Sequence, residues 1–527
     1  MKTLQRKISS LDASLKKICG TDNVSLDAVD LEFFASDLFE KGIEPEVVAA
    51  PQTADEVAAI VSLAQKLKRP VYVRGGGMSY SKTYLPACTS SIMLDMRRLN
   101  TIREINSDDL YVTVESGCTW KVLDEALAPL NLRAVFWGPF SGGKATIGGS
   151  MSQGTANNAA AKIGTSDSAV LSYEIVTGAG DILTTGKDAQ KGHKPFTRNY
   201  GPDLTSFFSN DAGALGIKTA VTLRLEQRPK AFGGVSFAFE TFEDTMAAVK
   251  AAAQTGLASA VIAMDAETSG VRAGTRGLKE DLKKLVSVIK SAHNPVLGVM
   301  RGVNIALAGG KVFERAKFTA HFLAEAQNDQ VLIAAERLLR ATVKPFGNEL
   351  PNIAISLMRL DNFPDLPMTH MDGRRMLPVH GIIPWSSILD YGQAYFKLMQ
   401  SYKARMDAAR IISADIFTAI GPSSLLCEPV FYWPDSHTDY QRKMTSDFWS
   451  DNWQETPDNP EARELVAEIK DAIIDLQFKH GAAHIQIGKQ YPYMRGRSEQ
   501  SIKFLTALKS ELDPDHIINP GALGLKN

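Results

Sequence analysis

Two glycine-rich stretches constrain this chain more than any other feature: RGGGMSY at Arg74–Tyr80 and GPFSGGKATIGGSMSQGT at Gly138–Thr155. Each follows an apolar run, VYV before the first and AVFW before the second. Glycines in series let backbone N–H groups converge on an anion, because no side chain blocks the approach. The loops lie roughly 60 residues apart, separated by expected strands at 91–96 and 110–117 and a helix over 120–130. Two generic readings fail on individual residues. RGGGMSYS is not GxGxxG, and no tidy βαβ unit with an acidic residue capping its second strand follows it, which argues against a Rossmann fold. Gly138, Gly143 and Lys144 have GxxxxGK spacing, but Ala145 stands where a P-loop needs a hydroxyl for magnesium, and Pro139 interrupts the loop. A glycine loop by itself is often a tight turn without a ligand; taken together, two such loops can wrap one long, doubly phosphorylated ligand from two sides.

The rest of the chain sets the frame for such a site. With 527 residues it is long enough for more than one core. A net charge of -1 gives no basic surplus for nucleic acid or an anionic membrane. No uncharged apolar run approaches the roughly 18 residues of a membrane span, and the first twenty residues lack the core of a signal peptide. Cys19, Cys88, Cys118 and Cys427 are far apart and offer neither a CxxC redox pair nor a zinc site. A reduced, cytoplasmic setting follows. Residues 1–45 read as helical, polar and poorly anchored. Thr53 with Glu56 suggests a capping box opening a helix with Val57, Ile60 and Val61 on its apolar face. LSYEIVTGAGDILTTG reads as a hairpin turning at Gly178–Asp181. From 231 to 475 longer helices alternate with short strands, the pattern of an antiparallel sheet covered by helices.

Six segments in order resemble the vanillyl-alcohol oxidase/p-cresol methylhydroxylase family of FAD enzymes. They are PQTADEVAAIV, VRGGGMSYS, LDMRRLNTIREINSDDLYVTVESGCTWKVLDEAL, ATIGGSMSQGT, GALGIKTAVTLRL and LDPDHIINPGALGL. The resemblance implies an α+β chain: a PCMH-type two-subdomain FAD-binding domain over 46–230, a cap over 231–475, and a segment 476–527 returning to the FAD domain. It implies cofactor contacts from Arg74, Gly75, Gly76, Gly77, Met78 and Ser79 in the first loop. In the second, Pro139, Thr146, Gly148, Gly149, Gln153, Gly154 and Thr155 are implicated, with Gly216 and Ile217 at the close of the domain. Many relatives carry a histidine after the first glycines that bonds the flavin covalently. Met78 stands there, and a thioether cannot make that link, so FAD is expected to be non-covalent. The cap strand GRRMLPVHGIIP offers His380 as a second anchor, but Met376 lies nearer the usual register.

Catalytic candidates come from two stretches. SSLLCEPVFYWPDSH places Glu428, Val430 and Tyr432 on one face if it is a strand. HIQIGKQYPYMRGR gathers Tyr491, Tyr493 and Arg495, where phenol-oxidising relatives use a Tyr–Arg pair to hold a phenolate. This chain departs from that pair, since Tyr491 is followed by Pro492. The implied activity is hydride transfer from an alcohol or para-substituted phenol carbon to flavin N5, with O2 or a cytochrome-type acceptor reoxidising the flavin. A homodimer is compatible with it; no nucleic acid and no membrane partner are expected. A D-2-hydroxy-acid dehydrogenase stays open as an alternative, although no HxH metal motif is present. So does a flavin-fold binding protein without activity.

Overall fold

The computed structural model describes residues 2–156, 159–266, 268, 316–352, 362–365, 369–370, 372–451 and 453–525. The chain divides into two compact units, 1–155 with 166–227 and 485–527, and 156–165 with 228–484.

The first unit holds two sheets. In the smaller, β1 (Val24–Ser25), β2 (Val47–Ala49), β3 (Val71–Arg74) and β4 (Ile92–Asp95) lie in the order β1-β2-β4-β3. β2 and β3 both pair with β4 in parallel, and β1 pairs with β2 antiparallel. Parallel strands are covered on both faces, hence the unbroken apolar runs in the sequence. The helices α1 (Lys2–Cys19), α2 (Ala28–Phe34) and α3 (Ala54–Leu67) belong to the same unit. On α3, Val57, Ile60, Val61 and Ala64 are fully buried against Val47, Val71, Ile92 and Leu94. Thr53 caps it, its hydroxyl accepting from the Glu56 amide at 3.1 Å. Glu56 reaches back one residue further than a capping box requires, to the Gln52 amide at 2.7 Å.

The larger sheet is antiparallel: β5 (Ile102–Asn106), β6 (Tyr111–Glu115), β7 (Leu132–Ala134), β8 (Val170–Val176), β9 (Ile182–Thr184) and β10 (Ile217–Gln227). Its order is β5-β6-β10-β8-β9, with β7 also on β10. Two short helices complete the frame, α4 (Trp120–Leu127) and α5 (Ile147–Gln153). The C-terminal segment locks onto β3: the Val71 amide donates to the Ile517 carbonyl at 2.7 Å, and the Asn519 amide to the Val71 carbonyl at 2.9 Å. Lys509, buried just upstream, holds the turn by donating to Asp513 and to the carbonyls of Ala214 and Ile518 at 2.6–2.9 Å.

The second unit is an eight-stranded antiparallel sheet. Its strands are β11 (Ala231–Phe239), β12 (Ala258–Asp265), β13 (Phe318–Ala326), β14 (Asn348–Leu350), β15 (Arg375–Pro378), β16 (Gly381–Pro384), β17 (Ile412–Ile420) and β18 (Ser424–Trp433). They run β14-β11-β13-β12-β17-β18-β15, with β16 on β18. The short helix α6 (Ala160–Ile163) packs on β12 and β17, and α7 (Phe242–Gln254) on β12 and β13. Phe242 sits amid Phe318, Phe396 and Phe417 with ring centroids 5.3–6.1 Å apart.

Two expectations need correction. The N-terminal stretch is helical but not loosely held: Leu11 and Leu15 of α1 are 2% and 0% exposed in the α3 core. Their spacing of four puts both on one face, which the flanking charges obscured. The unit boundaries also differ from 46–230 and 231–475. Residues 156–165 join the second unit because α6 packs on its sheet, and that unit continues to His484 because Ile382 and Ala483 exchange backbone hydrogen bonds at 2.7 and 2.9 Å.

Candidate functional site

In the first unit, β3 runs into the first glycine loop and α5 rises from the second. The two loops touch. A Cβ on Gly75 would collide with the Thr146 hydroxyl, and one on Gly76 with the Lys144 carbonyl. Gly148 is pressed on Ser116, where an added Cβ would lie 2.5 Å from the serine Cβ, whereas Gly149 would meet only the Thr146 hydroxyl at 3.1 Å. Gly154 ends α5 with φ +67° against Asn210. These close approaches explain why glycine recurs in both loops.

The loops differ in which amides they leave for a ligand. The first amides of α5 are consumed: Ile147 donates to Cys118 and Gly148 to Ser116, both at 2.9 Å, and Gly149 to the Thr146 hydroxyl at 3.4 Å. In the first loop the amides of Gly76, Met78 and Ser79 donate to no acceptor among the described residues. Two hydroxyls nearby in the chain are also buried without a partner among the described residues, Ser116 Oγ and Thr155 Oγ1. This set of donors suits an anionic, hydrogen-bonding cofactor.

Behind the first loop, hydroxyls are linked in series. Ser79 and Ser81 lie 3.1 Å apart, Ser81 and Thr83 3.0 Å, and Thr83 donates to Gln153 Oε1 at 3.2 Å. The late loop closes on them: the Lys489 amide donates to the Ser81 carbonyl at 3.1 Å and the Gln486 amide to the Gln153 carbonyl at 2.6 Å. The Lys489 amine donates to the Leu85 carbonyl at 2.6 Å over the Tyr72 ring, and burial pulls its pKa down to about 7.

Other expected cofactor residues have close protein neighbours. The Arg74 guanidinium is buried over Phe33 and Phe34, 4.4 and 4.7 Å from their centroids. Ile217 is buried in the α3 core and Gly216 abuts Ile175, so only their backbone can face a ligand. Pro139 accepts from the Gly142 amide at 2.8 Å in the turn that shapes the second loop. Gly77 takes φ +73°, and Met78 beside it is half-buried.

The three late-loop candidates have different surroundings. Tyr491 is buried, Tyr493 lies under the Arg497 guanidinium at 3.7 Å, and Arg495 is exposed. Residues 491–497 form successive tight turns, with Tyr493 donating to Tyr491 and Arg495 to Pro492.

The second unit does assemble polar groups. His380 falls between β15 and β16, both paired to β18, and its Nε2 lies 3.4 Å from Glu428 Oε2. His380 is 6% exposed, and burial lowers its pKa against the pull of Glu428. His484 lies near it, its Nε2 3.2 Å from Gln477 Oε1. Burial, with His380 adding to it, pushes His484 down to about 4. Neither Gln477 nor His484 was picked out as functional from sequence; both are remote from His380 along the chain. Tyr432, on the same strand as Glu428, instead meets the ring of His370 at 5.0 Å. Among the described residues no three His, Cys, Asp or Glu side chains converge as a metal site.

Comparison with known proteins agrees with the cradle. Residues 45–186 match the FAD binding domain family. The mitochondrial D-lactate dehydrogenase (cytochrome) 1 of Saccharomyces cerevisiae is 27% identical over 260 residues, 48% of this chain and 43% of the relative. The glycolate oxidase subunit GlcD of Escherichia coli is 26% identical over 245 residues, 46% and 47%. The chain thus spans about half the length of the curated relatives it matches. Among solved structures, p-cresol methylhydroxylase with substrate bound superimposes with a TM-score of 0.73 over 99% of this chain and 98% of that one, at 15% identity. Alkyldihydroxyacetonephosphate synthase gives 0.67 over 97% and 85%, at 16%. At such identities the likeness is one of fold.

Proposed function

From a chain that carries a PCMH-type FAD-binding domain and takes FAD as its cofactor, we propose an oxidoreductase acting on the CH–OH group of a small molecule. The first-loop amides of Gly76, Met78 and Ser79 hold the cofactor's anionic part, with Ser116 and Thr155 as further donors. Bound FAD supplies the hydride acceptor. The observation that carries the reading is the approach of the buried His380 to the half-buried Glu428. Oxidising a CH–OH carbon needs a base for the hydroxyl proton. His380 serves as that base, and the Glu428 carboxylate, 3.4 Å from its Nε2, stabilises the imidazolium that forms.

The alkylphenol version of this reading is weakened by the exposed Arg495 and by Tyr493 engaged with Arg497. The second reading, a D-2-hydroxy acid as substrate, draws support from the D-lactate dehydrogenase and glycolate oxidase relatives. The electron acceptor is O2 or a cytochrome-type protein. All four cysteines are unpaired, which suits a reducing compartment such as the cytoplasm.

The test is anaerobic mixing with alcohols, 4-alkylphenols and D-2-hydroxy acids while flavin absorbance is followed. Bleaching by a CH–OH compound is expected, and His380→Asn should slow it about 10²–10⁴-fold with FAD content retained. If every compound leaves the bound flavin oxidised, the chain is a flavin-fold binding protein instead. Acid precipitation should release the FAD into the supernatant, because Met78 offers no covalent link; a yellow pellet would implicate His380 as an anchor.

A further inference from the structure

A second histidine with a carboxylate at its side stands at the edge of the same sheet. His370 lies just before β15 and is 6% exposed, and its Nδ1 is 2.5 Å from Asp372 Oδ1. Burial works against the Asp372 charge, but hydrogen bonds from His370 and Arg374 outweigh it and hold the carboxyl well below its usual range. A carboxylate only accepts, so at this distance the proton sits on Nδ1. The Asp372 amide and the Arg374 guanidinium approach Nδ1 only at 3.3 and 3.4 Å. Arg374 also braces the carboxylate, from Nε at 3.0 and 3.2 Å. The turn is fixed by its backbone: the His370 amide donates to the Arg374 carbonyl at 2.8 Å and the Gly373 amide to the His370 carbonyl at 2.9 Å. His437 Nε2 donates to the Gly373 carbonyl. Yet His370 Nε2, also buried, has no hydrogen-bond partner among the described residues. Buried polar atoms are almost always bonded, so an open nitrogen on so firmly held a ring marks a place for a ligand group.

The sheet register relates this ring to His380. His370 meets the ring of Tyr432 edge-on, with centroids 5.0 Å apart. Glu428, Val430 and Tyr432 alternate onto one face of β18. Met376 of β15 pairs with Tyr432 and Pro378 with Val430, so both join that face. At one end of it His380 Nε2 lies 3.4 Å from Glu428 Oε2; at the other end, beside Tyr432, stands His370. The two ends are four residues apart, about 13 Å along the strand. Between them the face is apolar, made by Val430, Met376 and Pro378.

We propose that His370, oriented by Asp372, is a further substrate-contacting residue: its Nε2 bonds a hydroxyl at the far end of an elongated substrate whose CH–OH carbon is oxidised at His380. A hydroxyl suits this nitrogen in either protonation state, because it both donates and accepts. The apolar stretch between the two histidines suits a hydrocarbon chain. This rests on the proposed role of His380 and adds the substrate class, a CH–OH compound with a remote hydroxyl, longer than the short 2-hydroxy acids. The full-length holoprotein is mixed anaerobically with 1-alkanols and α,ω-diols of matched length, and kcat/KM for flavin reduction is read for each. The diol-to-alkanol ratio, corrected for the two equivalent ends of a diol, should rise with length and peak at about eight to twelve carbons, whose ends span that distance. His370→Leu should cut the peak ratio about 3- to 10-fold, the worth of one hydrogen bond, with the alkanols unchanged. His370→Gln, whose amide takes the place of Nε2, should restore part of it. Asp372→Asn, which loosens the ring, should lower the ratio through a higher KM for the diol.

A ratio that stays flat with length, or a peak that survives in His370→Leu, overturns the inference. So does an equal loss for diols and alkanols in that variant, which would make the role of His370 structural. Should His370→Leu not fold, Asp372→Asn decides, and an unchanged ratio there overturns the inference. If neither series reduces the flavin but other CH–OH compounds do, the inference falls and the role of His380 stands; if no CH–OH compound reduces it, both fall.

Discussion

At Gly76 a missing Cβ lets two segments of chain touch that are almost seventy positions apart, since the Lys144 carbonyl occupies the space a methyl would need. Gly76→Ala should therefore drive the loops apart. Overpacking against rigid backbone typically costs about 1–3 kcal/mol, so bound FAD in the purified protein should fall at least about fivefold at fixed free FAD. Gly149→Ala is the control, for it meets one hydroxyl at 3.1 Å and gains helix propensity in α5; its FAD content should match the wild type. Equal occupancy in the two variants would mean that loop contact does not shape the cradle. Gly148 likewise leaves room for Ser116, whose Cβ an added methyl would meet at 2.5 Å. Glycine spacing marked the two loops; the packing neighbours of each glycine come from the fold.

Among the elements, α1 shows how a helix with charged flanks can be structural. Its buried residues Leu11, Leu15 and Cys19 join the core that α3 and the parallel sheet share. Leu15→Ala removes a fully buried side chain and should lower stability by about 2–5 kcal/mol, seen as a reduced Tm of the first unit. A change below about 0.5 kcal/mol would show that α1 is a dispensable lid on that core. Strand β18 shows the converse. Its alternation was readable, and Glu428 and Tyr432 do lie on a strand. Their partners were not readable, because His380 and His370 arrive from separate segments of the chain.

At the scale of the whole second unit, one buried carboxyl couples stability to pH. Asp415 on β17 is held by the Tyr395 hydroxyl at 2.6 Å, and burial, aided by Asp265 nearby, raises its pKa to about 7. An acid whose folded pKa is raised keeps its proton in the native state while the unfolded chain loses it above about pH 4. The stability it contributes is thus fully present at low pH and is lost as pH rises to about 7, with a slope of about 1.4 kcal/mol per pH unit for one proton. Asp415→Asn should flatten that slope in thermal unfolding of the second unit followed from pH 4 to 8. An unchanged slope would assign the dependence to other groups.

Sequence alone determined the ligand class and the fold class. Glycine clusters after strands, apolar periodicities of two and 3.6, and turn chemistry are local properties, and local sterics enforce them wherever the chain goes. The order of six such segments was enough to indicate FAD and an α+β chain. Tertiary structure alone decided which residues share a site. His380 and Glu428 are far apart in sequence, yet their side chains come within 3.4 Å, and Tyr432 meets His370 from a separate segment. The physical reason is that convergence is set by strand pairing and by the close approach of backbones, both of them long-range contacts. No property of the single residues involved records which distant partner will fill the space beside them.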